Sequence, residues 1–297
     1  MTSMKSKLMG SPCIAKNSGR DSPVTEPWCV ILAGRGDSAR AARQSAFIKR
    51  DPLTATLRRA VTVTSRDRVA AVIAAPAVPW RQSPLKELVT RNLFVQPRHQ
   101  GTAYEVLLAL LSLESRIAAS TPVFFLPADH VVDDEEVMTN ALTTMIEWIA
   151  EDPGPVYLLG ALPQGPHDQL GYIIPWHDAI LMPTGVYEFV ERPDIQRARR
   201  LINAGGLWNT FIFGGCVASL IRLFPPRFDA TIAEFRAALQ SDDIELDLAR
   251  LYDRLAPVDF SQELLARQTD QLRVLRLLRC GWWPLKAPTL NPPLQNA

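Results

Sequence analysis

Trp28-Cys29-Val30-Ile31-Leu32-Ala33 runs directly into Gly34-Arg35-Gly36-Asp37-Ser38-Ala39-Arg40, and the fold is read outward from this stretch. A short, unbroken apolar run ending in glycine suits a central parallel strand buried on both faces. Glycines at a strand-to-helix turn let backbone N–H groups approach a phosphate closely, and a nearby arginine adds positive charge. Similar runs recur at residues Val69 to Ala75, Leu93 to Val95, Val123 to Leu126 and Val156 to Leu159. The segments between them have helical spacing. Val106, Leu110, Leu113 and Ile117 form one apolar stripe, and Met138, Leu142, Met145 and Ile149 form another behind the acidic start Asp133-Asp134-Glu135-Glu136.

Strands alternating with helices predict a single Rossmann-like α/β domain: a mixed, mostly parallel central sheet with helices on both faces. In such sheets ligands bind beyond the carboxyl ends of the strands, so the residues just after each apolar run are the ones to examine. The second half adds predicted strands over Leu170 to Pro175 and Val186 to Val190. Helices are predicted over Ile195 to Ala204, Ala230 to Gln240 and Leu246 to Leu255. The chain divides into a flexible leader (1–27), one domain (28–288) and an irregular tail (289–297), with irregular chain expected from Pro284 onward.

Lys and Arg total 32 against 31 Asp and Glu, so no global field favours nucleic acid or an anionic membrane, and phosphate recognition must be local. No run approaches the roughly 20 apolar residues of a membrane span, and the leader lacks the apolar core of a secretory signal. Cys13, Cys29, Cys216 and Cys280 are scattered, which reads as buried thiols in a reducing cytoplasm rather than a disulfide or zinc framework. His99, His130, His167 and His177 show no metal-ligand spacing. The composition sets no oligomeric state and leaves a homo-oligomer open.

Several short segments carry chemistry. Gln96-Pro97-Arg98-His99-Gln100-Gly101-Thr102-Ala103 offers an amide that can read a base edge and a glycine that permits close approach of a flat ring. Read blandly, it is a loop with Thr102 capping the next helix. Phe124-Phe125-Leu126-Pro127-Ala128-Asp129-His130 puts an aspartate just past a buried strand, able to hold magnesium on phosphate oxygens or, alternatively, to cap the following helix. Leu170-Gly171-Tyr172-Ile173, Phe189-Val190-Glu191-Arg192-Pro193 and Leu207-Trp208-Asn209-Thr210 each set a few polar groups among apolar neighbours, as a sugar site needs. A dinucleotide-binding dehydrogenase is the rival reading of G-x-G-x-x-A. It lacks its acidic partner, since Ala74-Ala75-Pro76 stands where the second strand ends.

Taken in order, these segments resemble the mannose-1-phosphate guanylyltransferase branch of the sugar-phosphate nucleotidyltransferases. The L-A-G-G-x-G-T-R-L signature is similar to Leu32 through Arg40, E/Q-P-x-x-x-G/N-T-A to Gln96 through Ala103, and P-A/S-D-H to Pro127 through His130. G-Y-I is matched at Gly171 to Ile173, F-V-E-K-P at Phe189 to Pro193, and L-W-N-S at Leu207 to Thr210. Val258-Asp259-Phe260-Ser261 and Cys280-Gly281-Trp282 resemble later segments.

The resemblance implies a glycosyltransferase-A-like domain and Mg²⁺-dependent attack of a sugar 1-phosphate on the α-phosphorus of a nucleoside triphosphate. Gly34, Gly36 and Arg40 would hold the triphosphate, Gln96, Gly101 and Thr102 the base, and Asp129 the metal. Gly171, Glu191 and Asn209 would hold the sugar, and Arg192 its phosphate; Arg40, Asp129 and Arg192 form the implied catalytic set.

The chain departs from the pattern at four places. Arg35 replaces the second loop glycine, and the loop arginine is absent at Ala39 or displaced to Arg40. Gln44-Ser45-Ala46-Phe47 lacks the P-K-Q-F lysine, with Arg43 and Lys49 out of register. Arg192 stands for a lysine. Gly281-Trp282-Trp283-Pro284 puts proline where G-W-S-D carries a second metal aspartate. These departures keep a second reading open: a non-catalytic relative that binds a nucleotide sugar or a partner protein.

Overall fold

The computed structural model describes residues 26–33, 51–75, 84–177 and 182–285. The strands are β1 (Trp28–Ala33), β2 (Val69–Ala74), β3 (Leu93–Gln96), β4 (Pro122–Pro127), β5 (His130–Val131), β6 (Val156–Ala161), β7 (Tyr172–Pro175), β8 (Thr184–Val190), β9 (Leu207–Cys216), β10 (Leu272–Leu277) and β11 (Trp283–Pro284). The helices are α1 (Pro52–Val63), α2 (Thr102–Glu114), α3 (Glu135–Glu151), α4 (Ile195–Asn203), α5 (Val217–Arg222), α6 (Asp229–Leu239), α7 (Ile244–Arg254) and α8 (Phe260–Glu263). The loop after β1, with Gly34, Gly36 and Arg40, lies outside the described residues, as does the tail 289–297.

Nine strands form one mixed sheet in the order β3-β2-β1-β4-β9-β6-β10-β8-β7. β1 is parallel to β2 and β4, β2 to β3, and β6 to β10. β9 runs antiparallel between β4 and β6. As the first strand's composition predicts, both its faces are buried: Val30 and Leu32 join one apolar cluster and Cys29 and Ile31 the other. Helices α2, α5, α6 and α7 cover the first face, and α1, α3 and α4 cover the second. The single α/β domain with helices on both faces is therefore as the sequence predicts.

β9 is not among the predicted strands, and two further elements differ from expectation. β10 has no counterpart in the sequence reading, because Leu272-Arg273-Val274-Leu275-Arg276-Leu277 spaces its arginines three apart and shows no two-residue alternation. It is an internal strand all the same: β6 pairs along its whole length, and β8 pairs with Arg273 and Val274 on its other side. Pro284 is the second departure. Instead of starting irregular chain, Trp283 and Pro284 pair antiparallel with Val131 and His130, which brings the late segment against the end of β4.

Cys29, Cys216 and Cys280 are free and buried, and burial pushes the Cys280 thiol up to about 11. No described helix is long and apolar enough to cross a membrane.

Candidate active site

The register of the antiparallel strands assembles the polar cluster. Tyr172 pairs with Val190 on β8 and with Trp208 on β9, so the residue before β7 faces the residue after β8 and the third residue of β9. Those residues are Gly171, Glu191 and Asn209. The Asn209 N–H donates to the Gly171 carbonyl at 2.8 Å. A Cβ placed on Gly171 would lie 2.5 Å from Glu191 Oε2 and 3.2 Å from Asn209 Cβ. The glycine is thus a requirement of close approach between side chains drawn from neighbouring strands. Glu191 is mostly buried, with its side chain 12% exposed, and its Oε1 lies 3.4 Å from Arg192 Nε.

The backbone is strained beside this cluster. Arg192 (φ 47) and Phe211 (φ 59) are the non-glycine residues with positive φ among the described residues. Both lie within two positions of a cluster residue. For Arg192 the conformation is doubly unusual, because a residue preceding proline normally stays extended. Such strain costs about 1–3 kcal/mol and persists only where the surroundings over-determine it, typically at functional sites. At Phe211 the cause is visible: Asn209 Oδ1 accepts the Phe211 N–H at 3.0 Å, turning the chain sharply inside β9. The Asn209 amide is held from its other end, where Nδ2 donates to Ser261 Oγ at 3.3 Å.

Asp129 stands two residues past β4 with its side chain 24% exposed, 3.7 Å from His130 Nε2. The capping role considered for it belongs to Asp134, which accepts from the N–H groups of Glu136 and Val137 at 3.1 Å. The β5–β11 pairing seats Pro284 opposite His130, and the Leu285 N–H donates to the Asp129 carbonyl at 2.9 Å. The position where the resemblance expects a second carboxylate therefore does lie beside Asp129, and it holds proline. Among the described residues no group of three or more His, Cys, Asp and Glu side chains could hold a metal. One carboxylate plus phosphate oxygens is a sufficient ligand set for magnesium, which keeps several of its waters. The residues therefore fit an ion bridged by substrate, not one caged by protein.

Trp282 links the two regions. It packs edge-on against His130 (centroids 5.0 Å apart), donates from Nε1 to His130 Nδ1 at 3.2 Å, and lies 6.5 Å from the ring of Trp208, next to Asn209. A cavity of about 510 Å³ opens past the ends of β6 and β10, lined by Pro163, Gln164, Leu278, Arg279 and Trp282 among others.

The loop from Gln96 to Ala103 behaves differently from expectation in its local contacts. Gln96 is fully buried and its Nε2 donates to the buried Glu105 at 3.1 Å, a carboxylate also contacted by His99 Nδ1 at 3.0 Å. Gly101 (φ 92) occupies the cap position of α2. The neighbour it admits closely is the Val258 backbone. Thr102 does not cap the helix; its Oγ1 accepts the Phe260 N–H at 2.9 Å. Asp259, given no role by the sequence, comes within 3.5 Å of Arg192 Nη2. A lone acid directly before a short helix inside Val258-Asp259-Phe260-Ser261 was the available signal. Its partner lies 67 positions earlier in the chain, beyond any local pattern.

Residues 51–235, more than half of the chain, match the family model described as nucleotidyl transferase. The chain belongs to the nucleotidyl transferase family. Within it, the alginate biosynthesis protein AlgA of Pseudomonas putida is 34% identical over 131 residues, covering 43% of this chain and 26% of that protein. The mannose-1-phosphate guanylyltransferase of Escherichia coli K12 is 25% identical over 206 residues, covering 65% of this chain and 42% of that protein. The chain thus spans less than half the length of these curated relatives. The crystal structure of mannose-1-phosphate geranyltransferase from Thermus thermophilus superposes with a TM-score of 0.71 at 24% identity, over 87% of this chain and 76% of that one, which establishes a common fold.

The loop into Gly171 carries a pH-sensitive support for this polar cluster. The Tyr172 hydroxyl donates to the His167 carbonyl at 3.1 Å and accepts the His167 N–H at 2.8 Å, while His167 Nδ1 accepts the Gln169 N–H at 3.0 Å. Burial holds the imidazole below its ordinary pKa of 6.5, with nearby Asp168 pulling weakly the other way. The folded state therefore favours the neutral ring. Its stabilisation is complete above pH 6.5 and is lost as pH falls through the lowered folded value. The melting temperature of wild type should drop on acidification from about pH 7 to about pH 5. His167→Asn, whose Oδ1 replaces Nδ1 as an acceptor without titrating, should flatten part of that slope; parallel profiles would remove His167 as the cause.

Proposed function

We propose that the protein transfers a nucleotidyl group from a nucleoside triphosphate, with GTP as the first candidate, to a sugar 1-phosphate, with mannose 1-phosphate as the first candidate, in the cytoplasm. A phosphate oxygen of the sugar 1-phosphate attacks the α-phosphorus, the bond to the β-phosphate oxygen breaks, and pyrophosphate leaves with that electron pair. The product is a nucleotide sugar, GDP-mannose for those candidates. The carrying observation is the convergence of Gly171, Glu191 and Asn209 beside Arg192, four positions of the family pattern from three separate segments.

In this reading Glu191 accepts hydrogen bonds from sugar hydroxyls, Asn209 orients the same ring, and Arg192 grips the 1-phosphate with its planar fork of donors. Gln96, Gly101 and Thr102 shape the base side. Gly34, Gly36 and Arg40 cradle the triphosphate. Asp129 would hold Mg²⁺, whose contribution when bound is to neutralise converging phosphate charge. The protein's own share is to bring attacking oxygen and phosphorus into line, and positioning of this kind supplies much of such a rate.

Pro284 favours one further reading. With proline beside Asp129 in place of a carboxylate, a relative that binds the nucleotide sugar without making it is the alternative. Pyrophosphate release, measured with the four nucleoside triphosphates and several sugar 1-phosphates, separates the two. Mg²⁺-dependent turnover that falls at least about a hundredfold in Asp129→Asn supports transfer. Nucleotide-sugar binding without turnover would rule transfer out and leave the binding reading.

A further inference from the structure

Asp259 lies where the two sides of the site meet. Its Oδ1 accepts the Gln262 N–H at 3.1 Å and so caps α8, while Oδ2 lies 3.5 Å from Arg192 Nη2. The segment that carries it is bonded in both directions. Toward the base-side loop, the Val258 N–H donates to the Gln100 carbonyl at 3.0 Å, and the Val258 carbonyl accepts the Ala103 N–H at 3.1 Å. The Phe260 N–H adds its bond to Thr102 Oγ1. Toward the sugar side, Ser261 accepts from Asn209. Arg192 has the opposite character: its side chain is 53% exposed and projects from a strained turn, so packing does little to aim it.

We propose that Asp259 is a positioning residue that holds the Arg192 guanidinium toward the sugar phosphate. This rests on the proposed function. One contact, to Glu191, leaves a guanidinium free to pivot about that contact. A second carboxylate on another part of the fork sets the plane and leaves the remaining N–H groups directed at an incoming phosphate. Because the Asp259 segment is anchored on Gln100, Thr102 and Ala103, the aim of Arg192 is referenced to the loop that would hold the base. The direction of grip and the location of the nucleotide are thereby tied together. The opposing effect is repulsion between the Asp259 carboxylate and the same phosphate. If repulsion outweighed steering, removing the charge would tighten binding, so the sign of the change decides.

Asp259→Asn keeps the side chain's size and an N-capping oxygen while removing the charge. Mannose 1-phosphate and GTP serve as probes, each titrated alone by ³¹P NMR, which reaches millimolar affinities. The expected result is about fivefold weaker mannose 1-phosphate binding, as for a partly exposed charge pair, with GTP affinity unchanged. In an Arg192→Ala background the same substitution should change nothing, because the two residues act as a unit. Unchanged or tighter binding in Asp259→Asn overturns the proposal, as does an equal loss in the Arg192→Ala background. A wild-type protein that binds neither probe overturns the proposed function and this inference together. Binding of both probes with a silent Asp259→Asn overturns this inference alone.

Discussion

Gly171→Ala is expected to weaken sugar 1-phosphate binding by about a hundredfold while leaving the protein folded. Gly171 is not among the glycines with positive φ, so alanine meets no backbone strain there. What it meets is Glu191 Oε2 at 2.5 Å and Asn209 Cβ at 3.2 Å. Asn209 cannot retreat, because its N–H is bonded to the Gly171 carbonyl and its amide to Ser261 and the Phe211 N–H. Glu191 must therefore move, and losing a hydrogen bond between its charged carboxylate and the sugar, about 1.5–3 kcal/mol, is enough for an effect of this size. Overpacking of this kind costs about 1–3 kcal/mol of stability. Calorimetric titration with mannose 1-phosphate checks the loss. A Glu191→Ala background provides the control, since with the obstructing carboxylate gone Gly171→Ala should add little. Undiminished binding in the single variant would remove this cluster as the sugar site.

Gly101→Ala is expected to act on stability instead, by about 3–5 kcal/mol, a large part of the roughly 5–15 kcal/mol that a domain has. Its backbone (φ 92, ψ 161) lies in a region that is essentially restricted to glycine. An added Cβ would also come within 2.6 Å of the Val258 carbonyl carbon. Relieving that clash separates residues 100–103 from 258–260, and with them the bonds Val258 N–H to Gln100, Ala103 N–H to Val258 and Phe260 N–H to Thr102. Urea denaturation followed by circular dichroism measures the change. A loss under about 1 kcal/mol would mean that the two segments move independently, and the proposed tie between base side and sugar side would fail with it.

The two sides were unequally legible in the sequence. Asp129 and Glu191 stand just past apolar runs that read as strands, where such folds expose polar groups, whereas Gly171 and Asn209 stood out only as a few small or polar groups among apolar neighbours and took their roles from the resemblance. The same logic failed at Leu272 to Leu277, where two arginines interrupt the pattern of an internal strand. Glu105 was equally hidden. A glutamate in the first turn of a helix reads as a solvated charge, yet here it is 1% exposed and committed to Gln96 and His99.

Local patterns belong to the sequence alone: apolar runs that suit buried strands, stripes that suit helix faces, glycines and acids at their ends. They determined the α/β class and the ordered segments that mark a nucleotidyl transferase. Tertiary structure decided which ends meet. Gly171 faces Glu191 and Asn209 because of a strand register, Pro284 sits beside Asp129 because of a two-residue bridge, and Asp259 reaches Arg192 because its segment is bonded to the loop before α2. The physical reason is that register and loop docking are chosen by the summed burial of whole faces and by the pairing of every backbone donor. No short stretch of sequence carries that sum.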